Sequence, residues 1–147
     1  MEYIMPKSTF NKIIAISALA LVSYSGVATA QEVPNLIGTW TGNIVGGALS
    51  GALNHSPEQK EPVFADRAKE WTLTIEKQDG TGLIGTWSTT TKSEPLVGVI
   101  RQDNVNVVLA DSDNTFDARL LSGSEMELCA QEAEEAIIAV CLLMKRK

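Results

Sequence analysis

Residues 70–77, Glu-Trp-Thr-Leu-Thr-Ile-Glu-Lys, alternate throughout: Trp71, Leu73 and Ile75 on one face, Thr72, Thr74 and Glu76 on the other. A period of two marks a strand with one buried and one wet side. Gln78-Asp79-Gly80-Thr81-Gly82 follows at once, with two glycines that tolerate positive φ, and Leu83 begins a return strand over 83–90. The pattern then repeats. Strands are expected over 95–101, 105–110, 116–121, 124–130 and 137–144, with turns at 102–104, 111–114 and 122–123. An earlier strand, 36–44, carries Trp40 near its centre. Eight strands with mostly short connections predict an all-β fold: a single eight-stranded antiparallel up-and-down barrel, whose closure removes both sheet edges. Leu73, Ile75, Val97, Val99, Val107 and Leu109 are expected to contribute to its packing.

The segment before the first strand has a different logic. Lys7 and Lys12 precede an unbroken run of small and apolar residues over 13–22, and Ala28-Thr29-Ala30 closes the segment. A charged start, an apolar middle and a small-x-small end describe a cleaved secretory signal peptide. The apolar run is about half of the roughly 20 residues that a membrane-spanning helix needs. The expected division is therefore 1–30 as signal peptide and 31–147 as the barrel domain, with no transmembrane segment in the mature chain. Cleavage removes Lys7, Lys12 and Glu2, which takes the net charge from −6 to −7. An acidic domain is a poor ligand for nucleic-acid phosphate, which attracts clustered Lys and Arg.

The only two cysteines, Cys129 and Cys141, lie in the exported part. An even count outside the cytosol predicts a disulfide. Paired about a hairpin centre, these positions place the tip at residue 135, within the polar run 131–136. A bridge requires them to be directly opposed at a non-hydrogen-bonded position, where side chains lie closest. The run Gln-Glu-Ala-Glu-Glu-Ala also has high helix propensity, so a helix over 130–144 stays open as the alternative.

Leu36-Ile37-Gly38-Thr39-Trp40 recurs as Leu83-Ile84-Gly85-Thr86-Trp87. Each Gly lets a neighbouring strand or ring approach closely, and each Trp supplies a large apolar plug. Packing at the barrel ends and lining of a ligand site are both open readings of these rings. Gly38-Thr39-Trp40 at the start of a secreted β domain resembles the first strand of the avidin–streptavidin family, and the wider lipocalin-like barrels share a similar Gly-x-Trp. Residues 73–82 followed by Leu83-Ile84-Gly85-Thr86 resemble that family's second and third strands. The resemblance implies an eight-stranded antiparallel barrel. It does not extend to biotin: the family's Asn two residues after the first Trp is here Gly42, Asn43 points to the opposite face, and no Trp follows Trp87.

Candidates for chemistry are few. One His and two Cys exclude a Cys- or His-rich zinc site. His55 has Ser56 beside it, but adjacency in sequence is not the geometry of a base and a nucleophile, and no Gly-x-Ser-x-Gly elbow exists. Residues 111–117 open like a calcium loop, yet the sixth and twelfth positions are Phe116 and Ser122 instead of Gly and Glu. A tight hairpin turn accounts for those Asp and Asn residues. Glu132, Glu134 and Glu135 read as a solvated tip, and Lys145-Arg146-Lys147 as a solubilising or tethering end. No catalytic residue, metal or cofactor is assigned.

The irregular feature is a long first loop at 45–69. Loops beyond about 12–15 residues are usually functional or disordered. This one carries Leu49, Leu53, Val63 and Phe64, apolar residues that an exposed loop does not normally hold. It is expected to fold over the barrel mouth, so that Leu49, Leu53 and Phe64, with Trp40, Trp71 and Trp87, form the candidate ligand site. Two function classes follow. One is a secreted or periplasmic non-enzymatic barrel that binds a small apolar ligand or a protein partner at its mouth. The other is a secreted inhibitor or interaction protein with a fully packed barrel, presenting a loop to an enzyme.

Overall fold

The computed structural model describes residues 32–53, 57–133 and 136–147. The signal-peptide assignment over 1–30 and the residues His55, Ser56, Glu134 and Glu135 lie outside these. The described chain is all-β, with nine strands: β1 (Gly38–Gly51), β2 (Gln59–Phe64), β3 (Glu70–Asp79), β4 (Gly82–Ser88), β5 (Ser93–Ile100), β6 (Asn106–Ala110), β7 (Thr115–Leu120), β8 (Glu125–Ala133) and β9 (Ala136–Arg146). They lie in the sheet order β2-β1-β3-β4-β5-β6-β7-β8-β9, all neighbours antiparallel, and β1 also pairs with β9. That last pairing closes eight strands into a barrel. β2 is an extra strand outside the closed circuit.

The expected loop at 45–69 is corrected by two of these elements. Residues 45–51 continue β1, and residues 59–64 form β2. On one side, β1 pairs with β3 from Gly38 to Asn43 and then with β2, through Ala48↔Phe64 and Leu49↔Val63. On the other side it pairs with β9 from Trp40 to Gly51. A Gly- and Ala-rich stretch has little strand preference of its own, but β9 offers it a full backbone ladder. The first strand thus has 14 residues, and Trp40 sits near its start instead of its centre. β2 carries an open edge. Ala65 donates its N–H to Gly47 O at 3.1 Å; by alternation Pro62, which has no N–H, faces the open side, a residue type that blunts edges.

Strand alternation sets the core. Trp40, Leu73, Ile75, Leu96, Ile100, Val107, Leu109, Phe116, Met126, Leu128, Leu142 and Met144 are each at most 2% exposed. Val97 and Val99 are 59% and 45% exposed, which corrects their assignment to the packing. The inward positions of β5 are Leu96, Gly98 and Ile100, so Val97 and Val99 must point outward, where Val97 lies opposite Ile84. The two copies of the Leu-Ile-Gly-Thr-Trp echo use glycine differently. Gly38 adopts φ 138°, whereas a Cβ at Gly85 would overlap the Thr74 carbonyl of the adjacent strand.

Cys129 and Cys141 form a disulfide and are directly opposed in the β8–β9 ladder. Their Cα atoms are 4.0 Å apart, nearer the spacing of a non-hydrogen-bonded pair than that of a hydrogen-bonded one. Around this hairpin the strands run to Ala133 and resume at Ala136, so 136–144 is strand and not helix. The basic C-terminus is also not a loose end. Arg146 lies over the Trp40 ring at 4.8 Å and donates to the carbonyls of Asn35 and Ile37 at 2.7 and 2.9 Å. Among the described residues, no helix is long and apolar enough to cross a membrane.

Candidate functional site

The barrel end that carries the turns between β4 and β5 and between β6 and β7 is lined by aromatic rings. Leu73 of β3 lies opposite Trp87 of β4, so Trp71, two residues earlier on the same face, sits diagonal to Trp87. Diagonal neighbours of this size reach each other across a pair of strands. The two indoles stack with centroids 5.1 Å apart and planes 15° from parallel. The Phe116 ring of β7 lies 5.2 Å from that of Trp87, its plane tilted by 57°. The Lys69 ammonium lies 4.6 Å from the centroid of Trp71. A cation is drawn to an indole face by the ring quadrupole. Burial pushes the Lys69 ammonium below the usual lysine value, and the charge of Asp66 partly opposes this.

A cavity of about 50 Å³ lies against this stack. Its walls include Ile44 and Leu49 from β1, Leu53 just beyond it, and Ile138, Val140 and Leu142 from β9. Asp113, Asn114 and Glu132 are the polar residues of the lining. Four of the six predicted ligand residues therefore meet at one place: Leu49, Leu53, Trp71 and Trp87. Two do not. Phe64 is 93% exposed on β2 and plugs nothing. Trp40 is fully buried elsewhere, with its indole N–H donated to Leu36 O at 3.1 Å and Arg146 over its ring. Its neighbour Leu36 is tied by its N–H to Gln78 Oε1 at 2.9 Å, close to the β3–β4 turn.

The polar members of the mouth were missed in the sequence, although the signal for them is the alternation itself. Stepping by two from an inward apolar residue leads from Leu96 to Glu94, from Phe116 to Asn114 and from Ala130 to Glu132. These three strands thus end their inward faces at the mouth in an acid or an amide. Glu132 corrects its reading as part of a solvated tip, since it lines the cavity and accepts the Ala136 N–H at 3.2 Å. The turn at 111–114 is the tight hairpin expected. Asp111 Oδ1 accepts the backbone N–H groups of Asn114 and Asp113 at 2.7 and 3.2 Å and the Asn114 side-chain amide at 3.3 Å. Burial pushes the Asp111 carboxyl above its ordinary value, against those hydrogen bonds.

The fold also brings Glu94 to this turn. Ligating oxygens of Glu94, Asp111 and Asp113 lie within 4.8 Å of one another, the one such acidic group among the described residues. Lys92 is 3.1 Å from Glu94 and offsets part of that charge. The mouth is therefore apolar and aromatic within and mainly acidic at its rim. Compared with models of known protein families, with curated proteins and with solved structures, the chain matches none.

Proposed function

We propose that the protein is a non-enzymatic binding barrel that works outside the cytosol, in the periplasm or the medium, and takes a small apolar ligand at its mouth. The observation that carries this reading is the cavity beside the Trp71–Trp87 stack, at an end where the barrel is otherwise filled by its own side chains. Sites of this kind are concave, mostly apolar and lined with a few polar groups. The enclosed space is about 50 Å³. That is roughly a third of a cavity of about 150 Å³ that admits benzene. A ligand therefore enters by displacing Leu53, which follows the end of β1 and is only half-buried. The signal-peptide pattern and the paired cysteines support the compartment.

The test is titration of the mature protein with N-phenyl-1-naphthylamine, a neutral apolar fluorophore. Saturable fluorescence enhancement is expected, and Leu53→Trp, which fills the cavity, should abolish it without lowering the melting temperature. Enhancement that is absent, or unchanged in L53W, rejects the mouth as a binding site. A second reading, a protein that docks on a partner through its β1–β2 hairpin, is favoured by one observation. Phe64 stands 93% exposed on an edge strand beside Val63, which is 38% exposed.

A further inference from the structure

We propose that two copies of the chain associate about a two-fold axis, with Phe64 of each seated in a groove on the outer wall of the other. This goes beyond the mouth and does not depend on ligand binding there; it names the partner of the exposed β1–β2 hairpin. The outer wall of the barrel carries both halves of such a contact. Phe64 is the projecting half, 93% exposed. It lies opposite Ala48 of β1, and Ala48 lies opposite Ala139 of β9. Directly opposed residues share a face of the sheet, so these three form one row on the outer side. The receiving half is a groove of about 460 Å³ beside that row. Val45 and Gly46 of β1, Ala139 and Cys141 of β9, and Cys129 and Gln131 of β8 line it. A Cβ at Gly46 would meet nothing within 4 Å, so the missing side chain leaves the hollow open. A cavity of about 150 Å³ already admits benzene. A phenyl ring therefore fits this groove.

Three observations select a second copy as the occupant. First, ring and groove sit on one wall, two strands apart, which is roughly 10 Å. A two-fold contact needs this arrangement, because each side must offer both the group that inserts and the site that receives it. Second, the wall is uncharged: residues 45–53 and 136–143 contain no Asp, Glu, Lys or Arg. Copies of a chain with net charge −6 repel one another, and that repulsion is least where the surface carries no charge. Third, the area is sufficient for a reversible dimer. An aromatic side chain buries about 150–250 Å², so two exchanged rings and the walls they cover account for roughly 600–1,000 Å². Val45 and Ile137, 49% and 64% exposed, lie on the same outer side and add to this. Interfaces below about 1,200 Å² are weak and transient, and stable ones are larger. The contact uses the wall and not the β2 edge, because Pro62 blunts that edge.

The test is sedimentation equilibrium of the mature protein over a concentration series. A reversible monomer–dimer equilibrium is expected, and Phe64→Ser should weaken it at least about tenfold. Gly46→Gln, which places a side chain in the groove at a position without positive φ, should do the same. Phe64 is almost wholly in solvent and Gly46 has open space beside it, so both variants should keep the melting temperature of the dilute protein. An equimolar mixture of the two variants regains one of the two exchanged contacts, the Phe64 of one chain in the intact groove of the other. The mixture should therefore form more dimer than either variant alone. A protein that stays monomeric up to about 1 mM overturns the proposal and leaves the hairpin to a different protein. A dimer that survives either substitution overturns it as well, since it would use another face. So does a mixture that dimerises no better than its components, because ring and groove would then not meet.

Discussion

Trp40 shows how much a single residue carries in this fold. Its ring is fully buried, its N–H is donated to Leu36 O, and Arg146 covers its outer face. Trp40→Ala should lower the unfolding free energy by about 3–5 kcal/mol, read from urea denaturation. A loss below about 1 kcal/mol would mean that the ring is not part of the core. Asp103 is a second informative residue because it is fully exposed and still strongly perturbed. It accepts the backbone N–H of Asn106 at 2.8 Å and of Val105 at 2.9 Å, and the Asn106 side chain as well. These hydrogen bonds, the one from the Asn106 backbone first, hold its carboxyl down at about 2. A depressed carboxyl contributes stability above its unfolded value and loses it as the pH falls through the folded one. Asp103 should therefore support the turn fully above about pH 4 and cease to do so as the pH falls through about 2. A carbon-detected NMR titration should place its midpoint near 2; a midpoint near the ordinary aspartate value would show that the turn is not held this way.

Among the elements, the β8–β9 hairpin is cross-linked by Cys129 and Cys141, 12 residues apart in sequence. The chain-entropy account gives about 3 kcal/mol for a closed loop of this order. Replacing both cysteines by Ala should cost about that much in chemical denaturation, and peptide mapping without reductant should recover the linked pair. Two free thiols in the exported protein would contradict the assignment. The β1–β2 hairpin behaves differently. β2 is mostly exposed and contributes no fully buried residue, while the β1–β9 ladder closes the barrel without it. Replacing residues 52–64 by a short Gly/Ser linker should leave the far-ultraviolet circular dichroism of a β protein and cost only about 1–2 kcal/mol. Loss of cooperative unfolding would show that β2 is needed for closure. The excision also removes Leu53, so the same variant should expose the Trp71–Trp87 stack to an added quencher of indole fluorescence.

At the level of the whole molecule, eight strands make one closed circuit with a packed interior and a small cavity at one end. Closure pairs the first barrel strand with the last, β1 with β9, so the fold cannot be completed until the last segment is in place. The disulfide sits on that last hairpin and ties its two strands together. The polypeptide that does this is expected to be the exported one. N-terminal sequencing of the secreted form should begin at Gln31 or its pyroglutamate, and a form that begins at Met1 would reject the signal-peptide reading.

Much of this was legible from local pattern. The strict alternation of 70–77, the turns rich in Gly, Asp and Asn, and the two cysteines placed about residue 135 are short-range features. A period of two and a turn signal need no distant partner to be recognised. Seven strands were therefore located within a few residues, and the disulfide register was read correctly. Where distant backbone mattered, the pattern gave no warning. Val45-Gly46-Gly47-Ala48-Leu49-Ser50-Gly51 has no alternation to speak of and becomes strand because β9 runs alongside it. Phe64 looks like a plug in the sequence and lies in solvent, because β2 pairs along one edge of β1 and not across the mouth. Which face of β5 is interior could not be told from Leu, Val, Gly, Val and Ile in succession; the register with β4 turned Val97 and Val99 outward. The mouth itself has the same origin. Glu94, Asp113 and Glu132 are far apart along the chain and meet only because eight strands close with one shared sense of inside. Local chemistry names the strands and turns, whereas the joining of residues from separate strands into one site depends on register and closure, which are properties of the assembled sheet.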